Sequence, residues 1–236
     1  MNVASAERLT ETHHALLFAW ISRAIIQRVG WERGEAAIRK ATRRYGEQRG
    51  RRMALRARAN GRELSMTNFL VFGEWRGSEQ SGAESEKSAV GADVLSCVRI
   101  CPWNTAWVDE ELLPYGRLYC REIDHALVRG YNPGLELDVR QTLSNDGEPC
   151  EFIFHQADLE EAGRISADLG DRAVMSWAYH CGHLYATFSQ ALIEDFGQVG
   201  EDAVEGAMLE FATRFGERTT RLVRSSQDVD FDNLPG

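Results

Sequence analysis

No apolar run in this chain approaches the roughly 20 residues that a membrane-spanning helix needs, so it is not expected to cross a bilayer. The opening residues are interrupted by Glu7, Arg8, Glu11, His13 and His14. They show neither a basic segment followed by an apolar one nor an Arg-rich, acid-free transit pattern, and a cytoplasmic protein is expected. Cysteine is sparse and odd in number: Cys97, Cys101, Cys120, Cys150 and Cys181. Without a secretory signal, that argues against a disulfide framework and for thiols that are buried or functional. Three residues separate Cys97 from Cys101, so no Cys-x-x-Cys pair exists to suggest a zinc ribbon or a dithiol redox motif. Basic residues are in deficit, 27 against 36 acidic for a net charge of −9, which removes any global pull toward nucleic acid or an anionic membrane.

What is present suffices for a core: 43% of the 236 residues are hydrophobic, and one domain is expected over residues 1–226, followed by an acidic, frayed tail at 227–236. Leu17, Trp20, Ile21, Ala24 and Ile25 recur at three- and four-residue steps until Gly30, which predicts an amphipathic helix. A second helix starts near Glu32, with Ala37, Ala41 and Tyr45 on one face. The runs Ser65 to Trp75 and Val94 to Ile100 are rich in aromatic and β-branched residues and read as strands. Between them, residues 76–91 are Ser-, Gly- and Glu-rich and read as a mobile hairpin loop.

A helix is predicted from Leu112 to Arg129, with Pro114 in its first turn and a stop at Gly130-Tyr131-Asn132-Pro133. Strands at Leu135–Leu143 and Cys150–His155 flank Asp146-Gly147, a hairpin signal. Two closing helices carry Trp177, Cys181, Leu184 and Phe188, then Val204, Met208 and Phe211. The expected fold class is α+β: a four-stranded, mostly antiparallel sheet of two hairpins packed against about five helices. The stretches beginning at Gly30 and at Phe196 are faintly alike, a likeness that shared helix composition produces easily without an internal duplication.

The run from Cys101 to Phe154 holds the most specific motifs. Cys101-Pro102 opens CPWNTAW; Cys120 to Asp124 form Cys-x-x-x-Asp on a helix; Gly130 to Pro133 form a Gly-aromatic-Asn-Pro turn; and Asp146-Gly147 leads to Cys150 and Phe152 on a strand pair. With RRYGEQRGRRM before it and WAYHCGHLYATF (Trp177 to Phe188) after it, this pattern resembles the L-2-amino-thiazoline-4-carboxylic acid hydrolase family. More distantly, the helix and hairpin resemble 4-vinyl-reductase-like ligand-binding domains, in which one helix Cys and two strand Cys can hold zinc. This chain departs from that second pattern, because Thr142 stands where the other strand cysteine would lie.

The first resemblance implies hydrolytic opening, or loss of a ring heteroatom, of a small five-membered C=N heterocycle. Such chemistry needs a base for water, an acid for the leaving group and stabilisation at the attacked carbon. Cys120 and Asp124, four apart, share a helix face. His180 and His183, three apart, form a polar stripe beside an apolar one. Asp124 and His183 are the candidate base and acid, with His180 as a partner. Cys120 is a candidate nucleophile if a histidine touches it, since Asp124 alone would raise its pKa. No cofactor is certain; a divalent metal ion held by His180, His183 and Asp124 is an alternative.

Cys101, Trp103, Trp107, Asn132 and Cys150 are candidate substrate-binding residues, the tryptophans as walls over a flat ring. The thiols and tryptophans have a plainer reading as packed thiol or aromatic core. His13 and His14 read as solvated. The basic stretch from Arg39 to Arg62 reads mainly as a solvated face balanced by acids such as Asp202, Glu205 and Glu210, with one arginine available for a substrate carboxylate. A non-catalytic small-molecule-binding module, or a scaffold dimerising through its helix pairs, are the rival readings.

Overall fold

The computed structural model describes residues 8–235. The fold is α+β, and its four strands form one antiparallel sheet of two hairpins in the order β1-β2-β4-β3. The first helix pair is α1 (Glu11–Val29) and α2 (Trp31–Ala59). They join at Gly30, whose φ of 85° suits a residue without a Cβ. The last pair, α9 (Trp177–Phe196) and α10 (Gln198–Arg224), joins at Gly197 with φ 57°. In each pair a glycine lies against the preceding helix eight residues back: a Cβ on Gly34 would meet Ile26, and one on Gly200 would meet Leu192. That repeated contact is a structural counterpart of the faint sequence likeness.

Ser65 to Trp75 is not a strand. Ser65 caps a short helix, α3 (Met66–Val71), by accepting from the Asn68 amide at 3.3 Å, and Met66, Phe69 and Phe72 are buried. A short apolar run is ambiguous between the two states, and here the cap settles it. The first strand lies instead within the segment read as a loop: β1 (Glu84–Val90) pairs along β2 (Asp93–Ile100), exposed throughout its length. The helix expected over 112–129 is two, α5 (Leu113–Cys120) and α6 (Ile123–Tyr131), after a short α4 (Pro102–Asp109) that the sequence analysis did not assign. β3 (Leu137–Gln141) and β4 (Cys150–Phe154) flank α7 (Leu143–Asp146), a single turn closed by Gly147 in the left-handed region. α8 (Leu159–Leu169) completes the fold.

Two apolar clusters form. One joins α1, α9 and α10 through Phe18, Phe188 and Phe211; the other lies under the sheet, where α3 and α8 meet Val94 and Leu137. α6 lies close against α2 because Gly46, Gly50 and Gly130 have no side chains: a Cβ on Gly50 would sit 2.1 Å from the Leu127 carbonyl oxygen. Ion pairs from Glu122 to Arg39 at 2.5 Å and Arg43 at 3.0 Å hold the start of α6. The tail expected to fray is anchored by Phe231, 4% exposed, while residues 227–230 and 233–235 are exposed. No helix of the described residues is long and apolar enough to cross a membrane.

Candidate functional site

A cavity of about 400 Å3 opens where one end of the sheet meets α4, α5 and α6. Alternation along the strands supplies its floor: Val98 and Ile100 of β2 and Cys150 and Phe152 of β4 face it. Trp75, Trp103 and Trp177 form an aromatic wall. Trp75 and Trp103 stack at 4.7 Å and 15°, with Trp177 tilted 5.6 Å and 5.5 Å from them.

Asp124 lies in the first turn of α6 and faces this cavity. Burial pushes its carboxyl up to about 6, against the pull of nearby Arg49 and of its own backbone amide. Three thiols share the space. Burial raises Cys120 well above the ordinary thiol range, a hydrogen bond with Ser144 opposes this, and Cys101, Asp124 and Cys150 add to it. Burial pushes Cys150 up to about 11 and also raises Cys101. All three are neutral thiols at neutral pH, and none has the histidine contact that would generate a thiolate.

Behind the aromatic wall is a buried polar layer. Trp103 Nε1 donates to His14 Nδ1 at 3.1 Å; an indole only donates, so His14 carries its proton on Nε2, which lies 2.9 Å from the Tyr45 hydroxyl. His14 is fully buried, not solvated. Arg49, Arg52 and Arg56, spaced three and four apart on α2, all turn inward to Glu74. Burial pushes the Glu74 carboxyl up, but Arg52 foremost, with Arg49 and Arg56, outweighs it and holds the group below its usual range. The tail closes this layer: the Phe231 carbonyl accepts from Arg52, and its ring stacks on His183 at 4.3 Å.

Of the residues expected from sequence, Cys101, Trp103, Cys120, Asp124 and Cys150 line the one cavity. The others do not. His183 and His180 belong to the buried layer: His183 Nδ1 accepts from Arg52 at 3.2 Å, its Nε2 donates to Gln48 at 2.9 Å, and His180 Nε2 donates to the Glu74 carbonyl at 3.1 Å. Both are held neutral, first by burial and then by the arginines. With both His183 nitrogens engaged, His180, His183 and Asp124 do not gather as a ligand set. Among the described residues, the metal-compatible cluster is Glu136, Asp138 and His155 on the surface.

Trp107 is core, fully buried against Gly116 and donating to the Ala15 carbonyl at 2.8 Å. Asn132 ties the end of α6 to the Leu64 carbonyl at 2.8 Å. The basic stretch pairs with acids other than those expected, Lys40 with Asp195, Arg44 with Glu194 and Arg51 with Asp232. Sequence reasoning missed Glu11, Trp75 and the inward arginines. The three-and-four spacing of Arg49, Arg52 and Arg56, with Glu74 as the lone acid of an apolar run, is the signal that could have found the last.

The family model for L-2-amino-thiazoline-4-carboxylic acid hydrolase matches residues 10–154, more than half of the chain. The chain belongs to this family. The match runs from the start of α1 to the end of β4 and takes in every cavity residue named above except Trp177. No curated protein and no solved structure matches the chain. The family takes its name from hydrolysis of a five-membered ring with an exocyclic amino group and a carboxylate, and the matched segment here brings Asp124, three thiols and two of the three wall tryptophans to the cavity.

Proposed function

We propose that this chain hydrolyses a small five-membered C=N heterocycle of the L-2-aminothiazoline-4-carboxylate type, with Asp124 as general base and then general acid. The observation that carries this reading is Asp124 itself, a desolvated carboxyl pushed up to about 6 at the wall of an aromatic-lined cavity. A group with that affinity is ionised at neutral pH, yet binds a proton more readily than an ordinary aspartate. The ring lies against Trp75, Trp103 and Trp177. Asp124 takes a proton from water as the water oxygen bonds to the carbon of the protonated amidine and the C=N electron pair moves onto nitrogen. The bond from that carbon to a ring heteroatom then breaks as the hydroxyl becomes a carbonyl, the hydroxyl proton passes to solvent, and Asp124 returns its own proton to the departing atom.

Cys101, Cys120 and Cys150 shape the floor as neutral thiols, so a covalent cysteine intermediate is not part of this scheme. His180 packs against Trp75 and Trp177 from behind, and His183 lies between Tyr45 and Phe231. A reducing, cytoplasmic setting belongs to the same reading, since it keeps the five cysteines free.

The test is incubation of the purified chain, as isolated and after chelation, with L-2-aminothiazoline-4-carboxylate, following ring opening by mass spectrometry. Turnover that survives chelation and is lost in Asp124→Asn supports the scheme. Chelator-sensitive turnover replaces the Asp124-only water activation with a metal-assisted one. Binding without turnover replaces the enzyme with a binding module.

A further inference from the structure

The charged side chains at the cavity are of one sign. Glu11 and Asp124 line it, and among the described residues no lysine, arginine or histidine does. Arg49 lies over the Trp75 ring, 3.6 Å from its centre, and is paired with Glu74 at 3.5 Å, so the arginine that the basic stretch offered for a substrate carboxylate is not at the cavity. Backbone donors do not replace it. The Trp103 and Asn104 amides at the start of α4 are turned to the Cys101 sulfur, the Leu143 amide donates to Cys150 Sγ at 3.4 Å, and the Asp124 amide serves that residue's own carboxyl. Glu11, by contrast, is 1% exposed and has an acceptor to spare. Its Oε1 accepts from the Ser78 amide at 3.2 Å, while its buried Oε2 has no hydrogen-bond partner among the described residues.

A ligand carboxylate entering this space would give up its water without gaining a cation or a free amide, and would meet two acids of its own sign. A flat cation gains on both counts, because the faces of Trp75, Trp103 and Trp177 attract it and an acid accepts its N–H groups. Complementing the α1 dipole accounts for a charge at Glu11 but not for a buried oxygen without a partner. We propose that this chain selects cationic rings that carry no carboxylate: a protonated cyclic amidine of the 2-aminothiazoline class lies against the tryptophans, Glu11 accepts its N–H groups, and the carboxylated ring that gives the family its name is disfavoured. The selection rests on the hydrolase reading for the chemistry and narrows it in the substituent that the ring carries.

The experiment uses the full chain at neutral pH with four probes, reading binding by tryptophan quenching within seconds of mixing and ring opening afterwards by mass spectrometry. 2-Amino-2-thiazoline is a cation, L-2-aminothiazoline-4-carboxylate adds the carboxylate, its methyl ester keeps the added bulk without the negative charge, and 2-methyl-2-thiazoline is uncharged. The unaltered chain is expected to bind the cation and the ester each at least about 10-fold more tightly than the carboxylate. Glu11→Gln should weaken the cation and the ester by about 10-fold and spare the uncharged ring. If Glu11→Gln fails to hold its circular dichroism spectrum, Glu11→Asp, which keeps the charge and draws it back by one methylene, takes its place with the same pattern expected. A carboxylate that binds as tightly as its ester, a Glu11 variant that weakens charged and uncharged rings alike or neither, or no binding of any probe overturns the selection. If the carboxylated ring is nevertheless opened in that case, the hydrolase reading stands alone; if the expected binding order is found and no ring is opened, the selection stands and the hydrolase reading falls.

Discussion

Replacing Asp124 by asparagine should stabilise the protein while destroying its chemistry, and the two effects have one cause. In the folded chain the carboxyl is pushed from an ordinary 3.8 up to about 6 by burial. A folded-state pKa above the unfolded one means that the folded state binds the proton more tightly, so the contribution is favourable below pH 3.8 and is lost as pH rises toward 6. Above that window the ionised form costs about 3 kcal/mol, at roughly 1.4 kcal/mol per pH unit. Asparagine has nearly the same shape and no charge to desolvate. At pH 8 Asp124→Asn should therefore unfold up to about 3 kcal/mol less readily, or some 6–12 °C higher for a chain of this size. The gap should shrink as pH falls through 6, because the aspartate then takes up its proton.

Urea unfolding of both proteins at matched pH values between 5 and 8 measures the difference directly, and titrations shared by both cancel. In the same samples the turnover number should fall by about 10²–10⁴-fold. A difference in stability that does not change with pH, or an asparagine variant that is less stable at pH 8, would show that Asp124 is not a desolvated acid and would remove the basis for its role.

The rate constant kcat/KM should rise with pH to a plateau with its midpoint near 6, because the base acts when ionised; a profile flat from pH 5 to 8 contradicts this. Cys120→Ala should retain turnover within about 10-fold, as a neutral thiol contributes no nucleophile, and intact-mass spectra during turnover should show no adduct on Cys120. Gly50→Ala should force α6 away from α2, since the added carbon would lie 2.1 Å from the Leu127 carbonyl oxygen. Calorimetry should show a loss of about 1–3 kcal/mol or more, and turnover should fall along with it as Asp124 moves with its helix. Phe231→Ala should cost about 3 kcal/mol by opening a hole over His183 and Arg52, measured by urea unfolding; an unchanged midpoint would mean that the tail does not seal the buried layer.

The parts of this protein that the sequence determined by itself are those governed by near neighbours. Helix periodicity in α1, α2, α9 and α10 depends on residues three and four apart, and the turn at Asp146-Gly147 depends on one glycine's freedom at φ 75°. The same local geometry put Cys120 and Asp124 on one face, and the structure places both at one cavity. Where the local signal is short, it misled: the apolar run from Ser65 became a capped helix, and a polar segment with little apolar surface became β1 because β2 offers it a full ladder of hydrogen bonds.

Tertiary structure alone decided which charged residues went inside. Arg52 is buried because Glu74, 22 residues away, and the Phe231 carbonyl, 179 away, meet it there. His183 reads from sequence like a catalytic acid, yet both its nitrogens are taken by Arg52 and Gln48 on another helix. Glu11 reads as a polar interruption near the chain start, yet it lies at the cavity because α1 begins there. The desolvation of an ionisable group, and hence whether it is a surface charge, a structural partner or a reactive acid, is set by atoms brought from distant parts of the chain, and no local pattern encodes them.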